Sequence, residues 1–126
     1  MGEKLEDAGK VRASFLSVTE TYRLNVACAA IMAAFDDNCP YLVGSSLHRA
    51  DYRDVDLRLI LDDADYDRRF GSKAQEIERR LLNVAISDWI AARTGLPIDF
   101  QFQRMTDANA RFDGPRNAMG FAHVTA

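Results

Sequence analysis

The most regular stretch of the sequence is DVDLRLIL, residues 54–61. Apolar side chains occupy every second position in it, and Asp54, Asp56 and Arg58 occupy three of the other four. Successive side chains of an extended chain point to opposite faces. The alternation therefore predicts a central sheet strand with one buried face and one polar face, and both aspartates project from the polar face.

Two other segments are predicted to be strands of the same sheet. Residues 41–43, Tyr-Leu-Val, form a short apolar run that ends at the small residues 44–46, which favours a strand followed by a turn. Residues 97–103, PIDFQFQ, alternate in the same way as the first stretch. Their aromatic and aliphatic side chains share one face, and Asp99 lies on the other.

Two long amphipathic helices are predicted, one over residues 11–36 and one from about residue 73 to residue 93. Both have apolar residues at helical spacing and contain no glycine or proline. Ser72 is placed to cap the second helix, with Gln75 three residues further on as in a capping box. Gly95 is placed to end it.

The remaining segments carry weaker patterns. Residues 62–67 are interpreted as an acidic loop that leads into the second helix, and not as a calcium loop, because Arg68 stands where such a loop needs glycine. Residues 1–10 are expected to fray, and residues 104–126 to form an irregular tail with one short helix. The order of elements indicates a single α/β (α+β) domain over residues 1–126, with a small mixed β-sheet packed by two long helices.

Composition excludes several classes of protein. The chain has 126 residues, with 16 basic and 19 acidic side chains and a formal net charge of −3, which disfavours nucleic-acid binding by bulk electrostatics. No apolar run approaches the roughly 20 residues that span a membrane, and the N-terminus lacks the apolar stretch of a signal peptide, so a cytoplasmic protein is expected. Cys28 and Cys39 are expected to be free thiols, and the isolated His48 and His123 lack zinc-ligand spacing.

Three aspartates on the polar faces of two strands are the main chemical signal. If the strands are neighbours, Asp54, Asp56 and Asp99 meet on one patch of sheet, where repulsion opposes their ionisation unless cations neutralise them. Hard divalent cations such as Mg²⁺ take oxygen ligands of this kind. The turn at Gly44 and Ser45 allows a phosphate to approach the backbone. Each part alone is usually a solvated strand face or an ordinary turn, but together they suit phosphoryl or nucleotidyl transfer.

The order of these parts resembles the nucleotidyltransferase superfamily typified by DNA polymerase beta. Its pattern is a hydrophobic strand, Gly-Ser, a spacer, Asp–hydrophobic–Asp–hydrophobic, and later a third acidic residue on another strand. Here these parts are LVGSS at residues 42–46, DVDL at 54–57 and IDF at 98–100. The closest resemblance is to the minimal nucleotidyltransferases, whose Gly-Ser precedes an arginine-containing segment, as in GSSLHRADYRDVDL at residues 44–57. The resemblance covers about residues 41–103.

The resemblance implies a role for each matching residue. Asp54 and Asp56 would bind two catalytic ions, Mg²⁺ or Mn²⁺, and Asp99 would complete the metal site and act on the attacking hydroxyl. A nucleoside triphosphate would be held through its phosphates by the turn and by nearby arginines, namely Gly44, Ser45, Ser46, Arg49 and Arg53.

The expected function is a metal-dependent nucleotidyltransferase that moves a nucleoside monophosphate from the triphosphate to a hydroxyl acceptor and releases pyrophosphate. The acceptor is left open: a protein side chain, a small molecule or an RNA end. The minimal relatives commonly work beside a separate helical partner protein, as in toxin–antitoxin pairs, so the resemblance makes a helical protein a candidate partner. The alternatives are a catalytically inactive nucleotide-sensing or partner-binding module of the same fold, and an accidental match in a structural protein.

Overall fold

The computed structural model describes residues 14–111 and 114–121. The helices are α1 (Val18–Ala34), α2 (Asp63–Phe70), α3 (Lys73–Thr94) and α4 (Met105–Arg111). The strands are β1 (Pro40–Val43), β2 (Val55–Leu61), β3 (Ile98–Arg104) and β4 (Asn117–Ala118), and a short 3₁₀ helix, Ser45–Leu47, follows β1. This mixed sheet with its helices confirms the α/β (α+β) class predicted from the sequence.

The four strands form one sheet in the order β3-β2-β1-β4. Strand β2 occupies a central position, as its alternation predicts, and it pairs antiparallel with β1 and parallel with β3. Parallel neighbours need a long crossover connection, and α2 and α3 supply it. The two-residue strand β4 pairs with β1 and has no counterpart among the predicted strands.

One face of the sheet forms the hydrophobic core. Leu57 and Leu59 of β2 are fully buried, and Phe100 and Phe102 of β3 lie beside them. The helices add Leu24, Cys28 and Ile31 from α1 and Ile86 and Ile90 from α3. Cys28 and Cys39 are free thiols, and burial raises the pKa of Cys28 to about 12, which keeps that thiol protonated and unreactive.

Helix α1 is shorter at both ends than the predicted helix over residues 11–36. It begins after Ser17, whose hydroxyl accepts a hydrogen bond from the Glu20 amide at 3.0 Å while the Glu20 carboxylate accepts one from the Ser17 amide at 2.8 Å. This capping box stops the helix from extending toward residue 14, and residues 11–13 lie outside the described ranges. At the other end, Asp36 and Asp37 adopt left-handed backbone angles, with φ of 56° and 63°, so the helix ends at Ala34.

The prediction of an acidic loop over residues 62–67 is wrong, because these residues begin helix α2. The Asp62 carboxylate accepts a hydrogen bond from the Asp65 amide at 2.8 Å and so caps the helix. Acidic side chains then fill the first turn, and Arg68 and Arg69 fill the last. This distribution complements the helix dipole, which favours anions at the N-terminus and cations at the C-terminus.

Helix α3 begins and ends as the sequence predicts. Ser72 and Gln75 form the capping box, with both hydrogen bonds at 3.1 Å, and Gly95 ends the helix in the left-handed conformation with φ of 73°. Its last helical residue is Thr94. Neither α3 nor any other helix within residues 14–111 and 114–121 is both long and apolar enough to cross a membrane. The predicted frayed start, residues 1–10, and the end of the tail, residues 122–126, lie outside the described ranges.

Side chains of α3 cover the outer edge of β3. The Phe100 amide donates a hydrogen bond to Ser87 Oγ at 2.9 Å, and the Phe102 amide donates one to Asn83 Oδ1 at 3.1 Å. An edge strand otherwise presents unpaired amides, so these two contacts satisfy the edge and fix α3 against it. They also fix the position of β3, the strand that contains Asp99.

We expect Asn83→Ala and Ser87→Ala each to lower the free energy of unfolding by about 1–2 kcal/mol, because each leaves a strand amide without its partner. Urea denaturation followed by circular dichroism measures the change. Glu78→Ala, at an exposed position of the same helix, serves as the control and is expected to stay within about 0.5 kcal/mol of the parent protein. Equal stability of Asn83→Ala and Glu78→Ala would contradict the edge-capping role.

Candidate functional site

The parallel pairing of β2 and β3 places Asp56 directly beside Asp99. Both side chains point away from the core, because Leu57 and Phe100, the next residues along each strand, point into it. The Asp56 side chain is 21% exposed and the Asp99 side chain 39% exposed. Asp54 lies just before β2 at an exposed position. The structure therefore brings two of the three predicted carboxylates into contact distance, with the third close by.

Burial is the main reason that the pKa of Asp56 is raised above its usual range. Arg58 opposes the shift, and the negative charges of Asp99 and Asp54 add to it. The ionised form of a carboxyl group that is partly desolvated and lies near two other carboxylates is stabilised by a nearby cation. The electrostatics of Asp56 therefore suit a cation-binding or proton-carrying role.

Arg58 supplies a positive charge within the site. Its Nη2 lies 3.4 Å from Asp99 Oδ2 and 3.9 Å from Asp56 Oδ1. Its Nη1 donates hydrogen bonds to the carbonyl oxygens of Leu57, at 2.9 Å, and Asp99, at 2.8 Å. The guanidinium group is buried, and its Nε has no hydrogen-bond partner among the described residues. Alternation along β2 places Arg58 on the polar face, but no motif in the sequence indicates its contacts with Asp56 and Asp99.

Gly44 allows the Asp56 carboxylate to lie against the turn after β1. Its backbone has φ of 81° and ψ of −155°, a region that is open essentially to glycine alone. A Cβ atom at this position would stand 2.2 Å from Asp56 Oδ2. The contact follows from the pairing of Val43 with Asp56 across β1 and β2. Gly44 is therefore required both by the turn and by the carboxylate.

A cleft of about 240 Å³, which we call the Gly-Ser cleft, opens beside this turn. It brings together most of the residues predicted to bind phosphate or metal, and its lining consists of Ser45, Arg49, Asp51, Tyr52, Arg53, Asp54 and Asp56. Asp51 holds Arg49 through two hydrogen bonds, at 3.0 and 3.2 Å. Ser46 is fully buried and does not line this cleft, and its Oγ has no hydrogen-bond partner among the described residues.

Asp99 lines a second cleft, of about 340 Å³, between α3 and β3, which we call the Asp99 cleft. The wall on the α3 side includes Arg80, Val84 and Asp88. Asp56 and Asp99 thus stand next to each other while their side chains border different clefts. A reacting group could reach this carboxylate pair from either side.

Carboxylate oxygens at the border of the Gly-Ser cleft have the donor chemistry that Mg²⁺ and Mn²⁺ prefer. The pKa of Asp56 is raised mainly by burial, and the negative charges of Asp99 and Asp54 contribute to the shift. Within residues 14–111 and 114–121, no three His, Cys, Asp or Glu side chains are arranged together as a ready metal cluster. Asp54, Asp56 and Asp99 therefore fit a divalent cation by donor type, whereas Arg58 already balances part of their charge.

Comparisons of the chain with protein-family models, with curated proteins and with solved structures find no match. The candidate site consists of the carboxylate pair, the arginine that contacts both carboxylates, the turn at Gly44 and the clefts that Asp56 and Asp99 border.

We expect Asp56→Asn to stabilise the metal-free protein at neutral pH. The pKa of Asp56 is higher in the folded state than in the unfolded state, so folding favours the protonated carboxyl. The contribution of this group to the free energy of unfolding is therefore fully present at acidic pH, and it is lost as pH rises through the folded-state pKa. Thermal unfolding in EDTA should therefore give the variant a higher Tm at pH 7 and a smaller difference near pH 4. Glu78→Gln, at an exposed position of α3, is the control. A difference in Tm that does not depend on pH would contradict this electrostatic origin.

We expect Gly44→Ala to lower the free energy of unfolding by about 2–4 kcal/mol, because it adds backbone strain and drives the new methyl group into Asp56. Gly95→Ala is a useful control, since Gly95 also has a positive φ but an added Cβ there meets nothing within 4 Å. Adding Asp56→Ala to Gly44→Ala should recover the steric part of the loss and leave the backbone strain. Purely additive effects in urea denaturation would show that the two residues do not interact.

Proposed function

We propose that this chain is a metal-dependent nucleotidyltransferase. The observation that carries the proposal is the pairing of Asp56 with Asp99 on adjacent strands, directly against the Gly44 turn. The sequence order of turn, aspartate pair and third aspartate resembles the nucleotidyltransferase superfamily, and this pairing is what that order requires in three dimensions. On a fully solvated strand face, Asp56 would be more exposed than 21% and would not lie against a glycine with a positive φ.

The Gly-Ser cleft is the proposed site for the triphosphate. Arg53 and Ser45 line it, and Arg49 adds positive charge that Asp51 partly offsets. Its volume of about 240 Å³ lies below the roughly 300–1,000 Å³ of pockets that enclose whole ligands. The cleft is therefore suited to the phosphates, and the base and sugar would extend outside it.

The carboxylates would hold Mg²⁺ or Mn²⁺, with Asp54 and Asp56 facing the triphosphate and Asp99 completing the set. Bound there, the metal would supply Lewis-acid stabilisation of charge on the phosphates and lower the pKa of an acceptor hydroxyl. Asp99 would accept the proton of that hydroxyl. Arg58 would keep the Asp99 carboxylate in position through its contact at 3.4 Å.

The acceptor hydroxyl is proposed to enter through the Asp99 cleft, on the side of the carboxylate pair away from the Gly-Ser cleft. In-line displacement requires the acceptor hydroxyl to stand opposite the leaving pyrophosphate across the α-phosphorus, so the α-phosphate would lie beside the carboxylate pair, within reach of both clefts. The acceptor is a protein side chain, a small molecule or an RNA end, and a helical partner protein is one possible source.

One observation favours a second candidate function, a nucleotide-sensing or partner-binding module without turnover. Arg58 already supplies part of the positive charge that a metal would otherwise provide to Asp56 and Asp99. A carboxylate pair whose charge Arg58 partly balances would bind cations less tightly, and the Gly-Ser cleft would then serve as a binding site only.

We expect the protein to transfer label from an α-labelled nucleoside triphosphate to a component of a cell extract in the presence of Mg²⁺ or Mn²⁺. Each of the four ribonucleoside triphosphates is tested separately, and products are separated by electrophoresis and thin-layer chromatography. Asp54→Ala/Asp56→Ala should reduce transfer by about 100-fold or more, because metal ligation stabilises the transition state by several kcal/mol. Glu78→Gln, an exposed change on α3, should leave transfer unaffected.

The same samples separate the two candidates. Triphosphate binding in equilibrium dialysis without label transfer or pyrophosphate release would favour the binding module. Neither binding nor transfer with either metal would exclude both candidates.

A further inference from the structure

Helix α3 presents an apolar surface to solvent. Ile77 is 68% exposed, Leu81 69% and Val84 59%. These residues follow one another at intervals of four and three, so they lie on one face of the helix, which we call the α3 stripe. The buried residues Ile86 and Ile90 lie on a different face, toward the core.

The α3 stripe is not needed to attach the helix to its own domain. The core-facing side chains and the contacts of Asn83 and Ser87 with β3 already hold α3 in place. Single exposed apolar side chains are common, whereas several on one helix face form a surface on which a partner can pack. Substituting charged residues along this row would cost the folded domain little.

Opposite charges flank the α3 stripe. Lys73 lies four residues before Ile77, and Asp88 lies four residues after Val84, on the same face of the helix. Both are exposed, and neither forms an ion pair with another described residue. Read in either direction, the face has a charge, three apolar side chains and the opposite charge. This order is complementary to itself when the helix is turned end for end.

We propose that a second copy of this chain docks on the α3 stripe, with the two α3 helices antiparallel about a two-fold axis near Leu81. Lys73 of each copy then lies opposite Asp88 of the other, and Ile77 lies opposite Val84. Lys73 is the first residue of α3, where the helix dipole disfavours a cation. Glu76 of the same chain complements the dipole in the first turn, and Asp88 of the second copy adds the ion pair that Lys73 lacks within the described residues.

This pairing also changes the Asp99 cleft. Val84 and Asp88 belong both to the α3 stripe with its flanking charges and to the wall of the cleft that holds Asp99. A second copy would therefore complete that wall and place its Lys73 at the rim. The interface and the candidate site share residues, although the dimer does not depend on the proposed function.

Sedimentation velocity and light scattering at protein concentrations from about 1 to 300 μM cover the range expected for a small helix-pair interface. We expect a reversible dimer in the parent protein and a monomer in Leu81→Glu, which places two like charges at the two-fold axis. Circular dichroism and thermal unfolding show whether Leu81→Glu is folded. Val18→Glu on α1, at a position 88% exposed, is the matched control and should dimerise as the parent does.

Charge exchange tests the direction of the pairing and does not alter the apolar residues. Lys73→Glu alone and Asp88→Lys alone should each weaken association about tenfold, because each replaces two attractive pairs with two repulsive ones. A mixture of the two variants, and the double variant Lys73→Glu/Asp88→Lys, should recover the parent affinity. A monomer at every concentration would overturn the proposal, as would a dimer that persists in Leu81→Glu or a mixture that fails to recover association.

Discussion

The parallel register between β2 and β3 is the constraint on which both the core and the candidate site depend. It sets Leu57 beside Phe100 on one face and Asp56 beside Asp99 on the other. Side chains alternate along a strand, so a shift of one residue would send a phenylalanine to solvent and an aspartate into the core. The burial of Phe100 and Phe102 therefore holds the two carboxylates together, although neither phenylalanine contributes to their chemistry.

The carboxylate pair destabilises the folded state, whereas the hydrophobic core stabilises it. Asp56 is partly desolvated, lies beside Asp99 and presses against Gly44, which adopts a backbone conformation that few other residues tolerate. Arg58 moderates the repulsion through long contacts of 3.4 and 3.9 Å and does not remove it. Unbalanced charge held by a rigid scaffold is common where a protein binds or transforms a ligand, because the same groups relax when the ligand arrives.

The local patterns of the sequence predict much of the fold, whereas contacts between distant segments are harder to derive. Alternation places Asp56 and Leu57 on opposite faces, and Ser72 and Gln75 mark the start of α3, because these signals act over a few residues. The aspartates at 62–67 mislead because the same residue type occurs in loops and at helix N-termini. Here the Asp62 carboxylate accepts a hydrogen bond from the Asp65 amide and caps a helix. The contact of Arg58 with Asp99 spans 41 residues, so it depends on a strand pairing that no local pattern specifies.

The hydrogen bonds that Asn83 and Ser87 accept from the β3 backbone limit how the sheet can pair with a strand of another chain. One outer edge of the sheet already has its Phe100 and Phe102 amides bonded to α3, and the other ends in a strand of only two residues, Asn117–Ala118. Within the described ranges, the sheet therefore offers little backbone with which a foreign strand could pair. Growth by strand addition, the route by which exposed sheets form fibrils, is blocked on the β3 side and poorly templated on the β4 side.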